Sequence, residues 1–122
     1  MSGEEVRLLG QWGEARVAED LRRNGWTIVA SNYRCRFGEI DIIAQNRHYL
    51  VFVEVKMRKS DKFAPARAFV TGEKQRKLRT TAEFYLSEHR TRLQPRFDVA
   101  EVYAPQGTRT VSPVIRYVEN AF

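Results

Sequence analysis

The stretch GEIDIIAQNRHYLVFVEVKMR, residues 38–58, sets Asp41, Glu54 and Lys56 among some of the most apolar residues of the chain. Same-sign charges held close together on a half-buried surface destabilise it unless a cation, a proton or a basic partner compensates. Side chains alternate across a strand, so Glu54 and Lys56 share a face with Leu50 and Phe52, while Val51, Val53 and Val55 line the opposite one. If QNRH closes a hairpin symmetrically, Ala44 pairs with Tyr49 and Asp41 lies opposite Phe52, diagonal to Glu54 at about 7–8 Å. Two carboxylates leaning together at that range can share a cation through their oxygens. A slip of one residue would turn Asp41 to the other side. An isolated E-x-K is also what the solvated end of a strand looks like, and the pattern gains weight only from its neighbours.

One such neighbour is Glu14, in GQWGEARVAEDL, which shares a helix face with Val17, Ala18 and Leu21 and so looks inward. Gly13 beside it is costly in a helix interior and is accepted where backbone must approach another element closely. Glu14 equally suits an edge-of-core glutamate paired with an arginine. Glu39 shares the Asp41 face and would oppose Glu54 in the assumed register, as an accessory ligand or a residue at the open sheet end. Asp98, between Phe97 and Val99, reads as a buried partner of an arginine. His48 and His89 are isolated and read as turn and helix-end residues. Cys35 has no second cysteine to pair with and reads as a small residue in or near the core.

The elements that must position these groups follow the order helix, three strands, helix, two strands. The first helix runs from about Glu4 to Asn24, with Asn24-Gly25 as its stop. WTIVASN is the first strand, YRCRFGEIDIIAQ runs into the second, and HYLVFVEVKMR is the third. After a loop carrying Pro65, Leu78, Ala82, Tyr85 and Leu86 recur at helical spacing between Thr71 and His89. RFDVAEVYA and SPVIRYVE, separated by the turn-prone PQGTRT, are the fourth and fifth strands. A strand apolar on both faces belongs in the centre of an α/β sheet. At 122 residues and 43% hydrophobic, the chain suits one domain, residues 1–122, with a single modest core.

The formal net charge of +6 favours an anionic partner, since neutralising phosphates releases counterions. Lys74, Arg76, Lys77 and Arg79 crowd the first half of the second helix, where the macrodipole disfavours cations. Arg34, Arg36, Arg58 and Lys59 flank the acidic hairpin. Both groups are candidate phosphate contacts, and both also suit a solvated basic face. Neither end of the chain carries a basic flank followed by an apolar core, and YLVFVEV is too short to span a bilayer. A soluble, cytoplasmic protein without membrane contact is expected.

Taken together, GEARVAEDL with the following GW, NYRCRFGEIDII, LVFVEVKMR, RFDV and IRYVENAF resemble the YraN family over most of the chain. That bacterial family is considered similar to archaeal Holliday junction resolvases and to the PD-(D/E)XK nucleases. The resemblance implies a restriction-endonuclease-like fold, a mixed central sheet of about five strands flanked by helices. It places Glu14, Asp41, Glu54 and Lys56 in a metal-dependent active site. Asp41 and Glu54 would hold Mg²⁺ or Mn²⁺ with the Val55 carbonyl and water, and Glu14 would position a second ion or a water. Lys56 would orient the attacking water and stabilise charge on the phosphate. The proline of the superfamily's name is Ile40 here, and a fold outlives its chemistry. The reaction implied is hydrolysis of nucleic acid, DNA ahead of RNA, branched or otherwise structured, by a homodimer. A non-catalytic nucleic-acid-binding module and a scaffold for an acidic protein partner use the same basic surface.

Overall fold

A computed structural model describes residues 2–59 and 71–122. Pro65 lies outside them. The described elements are α1 (Gly3–Arg23), β1 (Thr27–Cys35), β2 (Gly38–Gln45), β3 (Tyr49–Arg58), α2 (Gly72–Glu88), β4 (Gln94–Tyr103), a 3₁₀ turn (Gly107–Arg109) and β5 (Val114–Val118). The strands form one mixed sheet in the order β1-β2-β3-β4-β5, parallel between β3 and β4 and antiparallel elsewhere. The order αβββαββ and the central place of β3 are those expected from the sequence. Among the described residues no helix is long and apolar enough to cross a membrane.

Local chemistry fixes the helix ends. Ser2 Oγ accepts the Glu5 N–H at 3.1 Å at the start of α1, and Thr71 Oγ1 accepts the Lys74 N–H at 3.2 Å at the start of α2. The two helices cover opposite faces of the sheet. Val17, Ala18 and Leu21 of α1 pack with Ile42, Ala44, Val51, Val53, Ala100 and Val102. Ala82 and Tyr85 of α2 pack with Ile40, Ile43, Leu50 and Phe52. The close approach anticipated at Gly13 is present, because a Cβ there would lie 2.1 Å from Met57 Sδ on β3. Gly38 does the same for α2: at φ +152° it leaves room where a Cβ would sit 2.8 Å from Thr81 Oγ1.

Two local expectations are corrected. The first strand does not stop at Asn32: Tyr33, Arg34 and Cys35 pair with Ile40, Glu39 and Gly38, and the chain reverses at Arg36-Phe37. In the next hairpin Ala44 pairs with Val51 rather than Tyr49. Asn46 causes the difference. Its Oδ1 accepts the N–H groups of His48 and Tyr49 at 2.9 and 2.8 Å, and its own N–H donates to the Tyr49 carbonyl, so the turn occupies residues 46–49. Pairing moves by two residues, which preserves the face of every side chain on β3.

Two buried ion pairs brace β4. Arg96 makes a bidentate contact to Asp98 at 2.9 and 2.8 Å, as expected for Asp98, and stacks over Tyr49 and Trp26. Arg58 lies 2.6 Å from Glu101, with side chains 6% and 8% exposed, and Tyr103 Oη donates to the same carboxylate. Removing the carboxylate of such a pair takes the opposite charge away from a buried guanidinium, whereas exposed pairs contribute little. Glu101→Ala is therefore expected to lower unfolding free energy by roughly 3 kcal/mol in urea titrations, and Glu19→Ala, from the exposed pair with Arg23, by less than about 1 kcal/mol.

Candidate active site

The strands that carry the acidic residues are irregular at one place. On β2, Ile42 and Ala44 pack under α1 while Ile40 and Ile43 pack under α2, so strict alternation fails at Asp41. The β2–β3 pairing ends at Ile42–Val53, one step before Asp41 and Glu54, which then lie across from each other. On β1, the residue facing Asp41 is Asn32, between the pairs Ser31–Ile42 and Tyr33–Ile40, and its φ is +53°. Asparagine adopts this left-handed conformation more readily than most residues. Where the ladder stops, the Val55 N–H has lost its strand partner, and Asp41 Oδ2 accepts it at 2.8 Å.

This replaces the diagonal arrangement inferred from the simple hairpin. Asp41 faces Glu54 directly, and Glu39 moves outward, 3.3 Å from Arg34 on the neighbouring strand. Glu54 and Lys56 point the same way, as alternation requires, with Lys56 Nζ 3.6 Å from Glu54 Oε1 and the side chains 21% and 17% exposed. Glu14 reaches the group from α1. It lies within hydrogen-bonding reach of both Asp41 and Asn32. Lys74, in the first turn of α2, approaches from the other face and neighbours Lys56 and Glu54.

The electrostatics are those of crowded like charges. Burial, followed by repulsion from Asp41, pushes Glu54 up to about 7, although Lys56 and Lys74 act against the rise. Burial and the Asp41 charge likewise push Glu14 up to about 7. Asp41 is also raised, chiefly by burial, with the Val55 N–H opposing. The Glu14–Asp41 contact raises the former and lowers the latter. Lys74 is lowered, first by its contact with Lys56 and then by desolvation. Such an arrangement can exchange protons near neutrality or accept a cation. Among the described residues no three His, Cys, Asp or Glu side chains form a ready-made metal group.

Glu14, Asp41, Glu54, Val55 and Lys56 are thus brought together. Lys74 and Lys77 line a cleft of ≈ 160 Å³ that opens beside Glu54. Arg34, Arg36, Arg76 and Arg79 are exposed on β1, the β1–β2 turn and α2. Arg58 is corrected: it is buried against Glu101 and offers no surface for a phosphate. Lys59 faces a separate hollow with Leu8, Leu9 and Arg109. Sequence reasoning missed Asn32 as a member of the group. Its only signal was a turn-prone residue inside a strand-like run, in ASNYR.

Residues 13–102 match the uncharacterised protein family UPF0102. A UPF0102 protein of Caldicellulosiruptor saccharolyticus is 39% identical over 117 residues, 95% of this chain and 98% of that one. Another, of Syntrophotalea carbinolica, is 45% identical over 95 residues, 77% of each chain. A third, of Nitrosomonas europaea, is 41% identical over 113 residues, 93% of this chain and 92% of that one. With the matched span enclosing Glu14, Asn32, Asp41, Glu54, Lys56 and Lys74, the chain belongs to UPF0102, the YraN family.

Proposed function

We propose that this protein is a metal-dependent endonuclease that hydrolyses phosphodiester bonds of branched or otherwise structured DNA. The observation that carries the reading is Asp41 facing Glu54 where β2 and β3 separate, with Lys56 3.6 Å from Glu54. Two half-buried carboxylates that repel each other fit a hard divalent cation. Mg²⁺ is commonly held by one or two carboxylates and keeps several waters, so the pair suffices without a third protein carboxylate. Asp41, Glu54 and the Val55 carbonyl would hold Mg²⁺ or Mn²⁺. When bound, that ion activates water and neutralises charge on the phosphate. Lys56 orients the attacking water and stabilises the charge developing on the phosphoryl oxygens. Glu14, beside Asn32 and Asp41, positions the Asp41 carboxylate and takes up or releases a proton near neutrality. Exposed cations on α2 and β1 hold the DNA backbone. A homodimer would bring two such sites to the two strands of a junction.

The electrostatics make a test that needs no substrate. Glu54 is raised from 4.5 to about 7, so the folded state binds the extra proton between these values. Its contribution to stability is complete below about pH 4.5 and is lost as pH rises through about 7. In chelator, Glu54→Gln is expected to gain roughly 1–3 kcal/mol on the wild type between pH 5 and pH 8 in urea titrations. Because the metal takes the deprotonated carboxylates, stabilisation of the wild type by millimolar Mg²⁺ should grow over the same interval and vanish in Asp41→Asn. An equal response to Mg²⁺ in Asp41→Asn would refute the metal site.

The reaction is tested with labelled single-stranded, duplex, flapped and four-way-junction DNA in Mg²⁺ or Mn²⁺. Metal-dependent cutting by the wild type is expected, reduced on the order of 10²-fold or more in both Glu54→Gln and Lys56→Ala. Tight binding without cutting by the wild type would instead assign the chain to the non-catalytic binding module.

A further inference from the structure

The cleft beside Glu54 does not end at the carboxylates. It runs between β2 and α2, lined by Gly38 and Glu39 from the one and by Lys74, Lys77, Leu78 and Thr81 from the other. Lys74, Lys77, Thr81 and Phe84 recur at helical spacing, and the ten steps from first to last run about 15 Å along α2. At the far end Phe84 meets Phe37, from the β1–β2 turn, with ring centroids 5.5 Å apart. Both rings are half-buried, and the exposed Arg36 lies over them, its guanidinium 4.8 Å from Phe37 and 5.9 Å from Phe84. Duplex phosphates alone would not call for aromatic rings.

Cations that follow a groove, leading to aromatic and guanidinium faces, are the features by which proteins hold unpaired nucleotides, since every base has a face to stack. Paired bases hide those faces within the helix. We propose that this strip seats a single-stranded DNA stretch next to the bond to be cut, its phosphates over Lys74 and Lys77 and a base stacked on the outer face of the Arg36 guanidinium, which Phe37 and Phe84 support from below. The inference rests on the nucleic-acid reading of the carboxylate site and narrows its substrate to DNA carrying an unpaired segment. Gly38 is essential to the path, because a side chain there would collide with Thr81 and close the floor.

Fluorescence anisotropy in chelator, at one fixed salt concentration, separates this from simple charge attraction. The probes are labelled oligothymidylate, a blunt duplex of the same length, and that duplex with a single-stranded tail. The wild type should bind the oligothymidylate and the tailed duplex about tenfold more tightly than the blunt duplex. Phe84→Leu and Arg36→Ala should each weaken single-strand binding by about fivefold or more and change blunt-duplex binding by less than about twofold. Arg36 is exposed, so its variant remains informative if Phe84→Leu unfolds. Equal affinity for blunt duplex and single strand, or equal losses on both in Arg36→Ala, would overturn the proposal. Metal-dependent cutting without this discrimination would remove the strip and leave the nuclease reading standing, and discrimination without cutting would do the reverse.

Discussion

The structure turns on one hydrogen bond, from the Val55 N–H to the Asp41 carboxylate. Elsewhere on β3 the backbone is tied into ladders with β2 and β4, but the β2 ladder ends at Val53. A central strand that loses a backbone partner must find another acceptor or leave a buried donor unpaired, at a cost of about 1–3 kcal/mol. Asp41 supplies that acceptor from its side chain. The carboxylate is thereby fixed in place, and the strands are free to part beside it. Asn32 completes the distortion, since its left-handed backbone lets β1 follow the change of face in β2 while β1 continues to pair as far as Cys35.

That geometry is bought with electrostatic strain. On top of the effect of burial, Asp41 raises both Glu14 and Glu54 and Glu39 raises Glu14 and Asp41, while Lys56 and Lys74 offset only part of the rise at Glu54. Lys74 is itself disfavoured by Lys56, so neither sign of charge is fully satisfied within the chain. The contrast with the rest of β4 is instructive. Arg58–Glu101 and Arg96–Asp98 are close, directional pairs, whereas the Asp41–Glu54–Lys56 group holds its nearest opposite charges at 3.6 Å. Structural charges are matched within the fold, and the mismatch is concentrated at one end of β2 and β3.

Much of this was legible in the sequence because the determinants are local. Helix periodicity, the hydrophobic alternation of β3 and the inward face of Glu14 each depend on residues within a few positions of one another. Gly13 announced the close packing of α1 on β3. The register of the β2–β3 hairpin was not legible, since it depends on whether Asn46 caps the turn with its side chain. The error was two residues, and an even shift leaves faces intact, so Glu54 and Lys56 stayed where they were expected. Alternation failed on β2 for a different reason: the change of face at Asp41 is imposed by its neighbours on β1 and β3. Arg58 was misplaced because its partner, Glu101, is far away in sequence and meets it only through the parallel β3–β4 pairing.

The cations of α2 follow from the same logic. Lysine and arginine in the first turns of a helix work against its dipole by a few tenths of a kcal/mol each. Thr71 and Glu73 offset some of that at the terminus, and the packing of Leu78, Ala82 and Tyr85 supplies the rest of the stability the helix needs. The helix can therefore carry charges that its own electrostatics disfavour. Gly38 lets it lie close to β2, so that Lys74 faces the carboxylates from one side while Glu14 reaches them from the other. The two helices thus hold the core from opposite faces and each delivers one ionisable group to the single place where the sheet is broken.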